Sequence, residues 1–165
     1  MPIITDAAVP PTSLLGRLAA ERNSFADAYR LMLPRSVSLA EFVEAFYTTR
    51  LFKLERWLIA RTGRPSTDAD IRALAQGEDR RMAAWTVEAR EGDEMLMHED
   101  SGVTRSWFKA EAGEGGTTLW FGSAFMPRRR EEGGQPRFGW LFHALLGFHR
   151  AYSRALLGAA ARRLG

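Results

Sequence analysis

His149 and Tyr152 stand three residues apart in the segment GFHRAYS, so on a helix they share one face. An imidazole beside a phenol on such a face could serve as acid, base or hydrogen-bond donor. No carboxylate or nucleophile is tied to the pair by spacing, and a core histidine bonded to a backbone carbonyl is the bland account. Arg105 and Trp107 lie on the same side of a strand in RSWF. An arginine backed by an aromatic ring can clamp a carboxylate or a planar ring, or the two can form a cross-strand pair on an outer face. The alternative face, with Ser106, Phe108 and Ala110, is the better core face by residue type. His98 sits beside Glu99 and Asp100, and His143 on a polar helix face, so a three-histidine metal site would need chance convergence and no metal is expected. Ser123 in FGSAF lacks the G-x-S-x-G pattern of a nucleophile elbow. Gly113, Gly115 and Gly116 open a strand and not a helix, so they form no phosphate cradle, and no cofactor is expected. With no cysteine, disulfides, thiolate metal sites and a thiol nucleophile are all excluded.

Positioning these residues falls to elements legible in the pattern. Thr12 or Ser13 caps a short helix over Leu14–Ala20. Phe25, Asp27, Tyr29, Leu31 and Leu33 alternate with Ala26, Ala28, Arg30 and Met32 up to Pro34, which predicts a strand with two largely apolar faces. Ser38 and Glu41 stand at capping-box spacing before Phe42, Val43 and Phe46. The stripe then passes to Leu51, Leu54, Trp57 and Leu58, with Thr48 and Thr49 able to cap a second piece, so two short helices in a V are preferred to one long helix. Gly63 and Pro65 stop it, and Thr67 with Asp70 starts a third helix ending near Gly77.

From Met82 the period changes to two. Met82–Arg90, Glu94–His98, Val103–Ala112 and Thr117–Met126 are separated by glycine-bearing turns, which predicts four antiparallel strands in a meander. Leu119, Phe121 and Phe125 oppose Trp120, Ala124 and Met126 on the last of them, so one face awaits a helix or a partner subunit, and a homodimer stays open. From about Gly139 to Leu164 runs a Pro-free amphipathic helix about 38 Å long. Leu141, Leu145, Phe148, Tyr152 and Leu156 are expected to face the sheet and be buried, with Phe142, Leu146 and His149 widening that face. His143, Gly147, Arg150 and Arg154 fall elsewhere on the helix.

With 165 residues and 45% hydrophobic content the chain suits one core. A single domain over 1–165 is expected, with 1–23 an N-terminal arm and short helix and 24–164 the main body. No secretory signal is visible in MPIITDAAVPPTS, and no apolar run approaches the roughly 20 residues of a membrane span, so a cytoplasmic protein without a membrane span is the plain expectation. All but two of the 23 basic residues, Lys53 and Lys109, are arginine. Arg128, Arg129 and Arg130 make the only basic run and Glu131 and Glu132 follow it at once, so no nucleic-acid partner is expected.

The order of strand, helix pair, extra helix, strand meander and long terminal helix, from Phe25 to Leu164, resembles the helix-grip fold of the START, Bet v 1 and polyketide-cyclase (SRPBCC-type) group. Trp85–Asp93, Arg105–Phe108, Phe121–Pro127 and Gly147–Ser153 are also similar to bacterial members of that group, which bring no catalytic residues to carry over. The fold usually has six strands after the helix pair, against four here. The resemblance implies an α+β fold in which a curved antiparallel sheet wraps the terminal helix around an apolar cavity. It further implies a small apolar or lipid-like ligand. Taking the larger apolar set of each strand as inward, Trp85, Phe121, His149 and Tyr152 would touch that ligand in a cavity of at least roughly 300 Å³. Arg105 and Trp107 would add the clamp. The rival readings are a cyclase or dehydratase using His149 and Tyr152, and a non-enzymatic interaction protein whose interior is filled by its own Trp and Phe side chains.

Overall fold

Two-residue alternation along the strand segments and well-capped helix starts carry over directly into three dimensions. The structure is a computed structural model that describes residues 3–126 and, from 140, the backbone of the terminal helix, with side chains from 147 to 165. In chain order the elements are β1 (Thr5–Ala7), α1 (Leu14–Arg22), β2 (Phe25–Leu33), α2 (Leu39–Tyr47), α3 (Arg50–Ala60), α4 (Asp68–Gln76), β3 (Arg81–Met82), β4 (Trp85–Glu91), β5 (Glu94–Glu99), β6 (Thr104–Gly113), β7 (Gly116–Phe125) and α5 (Trp140–Leu164). The strands form one curved antiparallel sheet of order β1-β2-β7-β6-β5-β4-β3. The fold is α+β and of helix-grip type.

Local chemistry explains the boundaries. Ser38 Oγ accepts the Glu41 N–H while the Glu41 carboxylate accepts the Ser38 N–H, and Thr67 with Asp70 repeats this box at the head of α4. Thr49 Oγ1 accepts the Phe52 N–H, separating α3 from α2. Two strands escape the sequence pattern. Ala83, in the left-handed region at φ 52°, turns the chain between β3 and β4, so five strands follow the helices where four are expected. Nothing in an Ala-Ala pair announces that break. β1 is only three residues long and borders β2, with Asp6 opposite Tyr29.

Register assembles the floor. Tyr29, Phe121, Phe108 and Met95 form one row across β2, β7, β6 and β5. α2 lays its aromatic rings on this row, with Phe46 at 4.6 Å from Phe121 and 4.9 Å from Phe108. Because α2 covers the middle of the sheet, α5 packs beside it with its inward face turned from the one expected: Leu156 is buried and Tyr152 lies against the core as expected, but Phe148 does not. Leu156, Leu157, Ala160, Ala161 and Leu164 are buried, whereas Phe148 is 70% exposed and stacks on Tyr152. Leu141, Phe142, His143, Leu145 and Leu146 lie outside the described side chains, as does the Arg128–Arg130 run. On α3 only Leu51 of the expected stripe packs against the core. Leu54, Trp57 and Leu58 are exposed, and Phe52, Glu55 and Arg56 face inward, Arg56 reaching Asp68 at 2.7 Å.

The opposite face of the sheet carries a second apolar cluster, in which Leu14 and Leu15 of α1 cover Ala28, Leu96, Trp107, Trp120 and Ala124. Gly122 permits that approach, since a Cβ there would stand 2.6 Å from Leu15 Cδ2 and 2.9 Å from the Trp107 ring. The second face of β7 is therefore covered by the chain's own α1.

Candidate functional site

A cavity of about 280 Å³ lies where α2, α3 and α5 meet the sheet, just short of the expected size. Phe46, Tyr47, Phe52, Phe121 and Leu156 supply apolar walls, while Glu55, Ser106, Ser123, His149, Tyr152 and Ser153 bring polar groups to it. Trp85 of β4, Phe121 of β7, and His149 and Tyr152 of α5 all line this space.

Arg105 and Trp107 do not join them. Strand parity turns Ser106 and Phe108 toward the helices, so their neighbours face the other way. Trp107 is fully buried beneath α1, and its Nε1 donates to Glu94 Oε2 at 2.8 Å. The same oxygen accepts the Leu14 N–H at 2.9 Å, so Trp107 and Glu94 together dock the start of α1. Arg105 Nε pairs with Glu88 Oε2 at 2.5 Å and its Nη1 donates to the Gly102 carbonyl. A β-bulge between Val87 and Ala89 presents Glu88 for this pair and brings it 3.7 Å from His98 Nδ1. Arg105 and Trp107 are thus a structural part of the outer face and not a clamp in the cavity.

At one end of the cavity the sheet floor turns polar, because register aligns Asp27, Ser123 and Ser106 across β2, β7 and β6. His149 reaches toward this row from α5. Its Nε2 stands 3.8 Å from Asp27 Oδ1 and 3.4 Å from Ser153 Oγ, and its ring packs edge-on against Phe125. The setting free of carboxylates expected for His149 is therefore not found. Asp27 Oδ2 accepts a hydrogen bond from Tyr29 at 2.9 Å, while its buried Oδ1 accepts none among the described residues. Burial first, and the Asp27 charge second, hold the Tyr29 hydroxyl well above the usual phenol range.

On the opposite wall Tyr152 donates its hydroxyl proton to Glu55 Oε2. Burial raises the Glu55 carboxyl above its ordinary value, offset in part by that hydrogen bond. Burial and then the Glu55 partner push the Tyr152 hydroxyl far up, so it stays a donor at neutral pH. Trp85 contributes an indole N–H that is buried without an acceptor among the described residues. The cavity thus offers a carboxyl reluctant to ionise, a phenol donor, an imidazole backed by a carboxylate, and an unused N–H around an aromatic space.

Asp27 and Glu55 are the groups that pattern reading misses. Asp27 alternates in phase with Phe25, Tyr29 and Leu31, so an acid on the inward parity of an apolar strand is the signal available for it. Glu55 has none, because the apolar stripe of α3 points to the wrong face. Among the described residues no group of three or more His, Asp or Glu side chains is placed to hold a metal ion, and no helix is long and apolar enough to cross a membrane. Compared with known proteins, the chain matches no family model, no curated protein and no solved structure.

Proposed function

We propose that the protein binds a small apolar or lipid-like molecule, bearing one hydrogen-bonding end, in the cavity between the sheet and α5, in the manner of the START, Bet v 1 and polyketide-cyclase group that its fold resembles. The observation that carries this reading is the buried Trp85 N–H, without an acceptor among the described residues, on the wall of a largely aromatic cavity. A buried donor left unpaired costs about 1–3 kcal/mol, and a ligand oxygen would recover that loss. The aromatic and aliphatic walls would take the remainder of the molecule. An unfilled space of this kind favours a ligand over an interaction protein with a fully packed interior. The neutral fluorophore N-phenylnaphthylamine should bind saturably and quench Trp emission, and Trp85→Ala should weaken that response. A folded protein that takes up none of it would overturn the reading. Native mass spectrometry of the full chain should then reveal the molecule that co-purifies.

A second reading is favoured by the acid–base groups on the same walls. Glu55, held toward its protonated form, and His149 beside Asp27 could move a proton on and off a bound molecule, as a cyclase or dehydratase requires. His149→Gln and Tyr152→Phe would then abolish turnover of the co-purifying molecule while fluorophore binding persists. Loss of binding in both variants would leave pure ligand binding as the function.

A further inference from the structure

Outside that cavity, a groove of about 610 Å³ runs between the first turn of α3 and the outer face of α5. Arg50 lines one side and Arg154, Arg162 and Arg163 the other, over a floor that includes Gly158 and Ala159, and among the described residues no acidic side chain contributes to its lining. Guanidinium groups gathered at one opening raise its potential and concentrate anions there. Arg154 has partners, the Asp6 carboxylate and the Ile4 carbonyl. Arg50, Arg162 and Arg163 pair with no carboxylate among the described residues. Arg162 and Arg163 lie in the last turn of α5, where a cation also complements the helix dipole. That accounts for those two and not for Arg50, which a different helix brings to the same opening. The first turn of α3 adds positive potential of its own. Thr49 caps the Phe52 N–H, and the amides of Arg50 and Leu51 have no intrahelical acceptor.

We propose that this groove is a binding site for a phosphate group, carried either by a free anion or by a lipid headgroup. Three guanidinium groups without carboxylate partners among the described residues match a multiply charged, many-oxygen group better than a single carboxylate, and each planar fork can meet two of its oxygens. The site is separate from the cavity and does not depend on what the cavity holds.

The test is calorimetric titration of the full chain with inorganic phosphate at low salt, comparing Arg50→Gln and Arg163→Gln with Arg22→Gln, a charge-matched change on α1 across the sheet. The expected result is saturable binding that weakens about five-fold in each groove variant, stays unchanged in Arg22→Gln, and falls as sodium chloride is raised. Co-sedimentation with phosphatidylcholine vesicles, with and without phosphatidic acid, separates the sources. Retention only on phosphatidic acid, lowered by Arg50→Gln, assigns the site to a headgroup. Saturable phosphate binding without retention assigns it to a free anion. Failure of both probes, or an equal loss in all three variants while their thermal melts match the parent, would overturn the proposal.

Discussion

At Glu55 a carboxyl group is held away from water with a single phenol as its partner, which ties the cavity wall to pH. Burial places its folded-state pKa above that of the unfolded chain, about 4.3, so the folded state binds the extra proton more tightly. Stability from this group is therefore fully present below the unfolded value and is lost as pH rises through the folded one. The Tyr152 hydrogen bond reduces that loss. Tyr152→Phe should cost about 1–2 kcal/mol at pH 7 and less at pH 4, read from urea midpoints. An equal cost at both values would mean that Tyr152 acts through packing alone. Glu55→Gln, which has no charge to desolvate, should show no such decline with pH. Among individual residues, Trp85, Phe121, His149 and Tyr152 were legible as the lining of one space because strand parity and helix spacing are local properties. Trp107 was not, since the indole's partner is the Glu94 carboxylate on a neighbouring strand, and nothing within RSWF specifies that neighbour.

Elements were read best where their signals are short-ranged. Both capping boxes, the Thr49 cap and the Gly77 left-handed stop act within four residues, and all stand where the chain announces them. Inward faces were read less well. α5 and α3 carry apolar residues on more than one side, so the choice among sides falls to whatever each helix meets. A pair of substitutions separates the two faces of α5. Leu157→Ala, at a position with no solvent exposure, should cost about 2–5 kcal/mol, while Phe148→Ser should change stability by no more than about 0.5 kcal/mol. Similar losses in both, measured by denaturant unfolding, would restore the face expected from the sequence.

For the whole molecule, α5 closes the side of the core that α2 leaves open. Leu156, Leu157 and Leu164, at roughly 1.5–3 kcal/mol each, bring about 5–9 kcal/mol of burial, comparable with the stability of an entire domain. A chain ending at residue 146 should accordingly lose its cooperative melt in calorimetry, and a sharp transition in that fragment would show the core to be self-sufficient. Sequence by itself determined the order of the elements apart from β1 and β3, the caps, most of the turns and the α+β class, because each rests on backbone preferences and contacts between residues a few positions apart. Tertiary structure alone decided that α2 and not α5 covers the sheet centre and that α1 closes the back of β7. It alone set Glu55 in the cavity wall and Asp27 beside His149, and brought Arg50 to the same groove as Arg162 and Arg163. These outcomes depend on which surfaces of distant elements fit when they pack, and periodicity within one element holds no record of that.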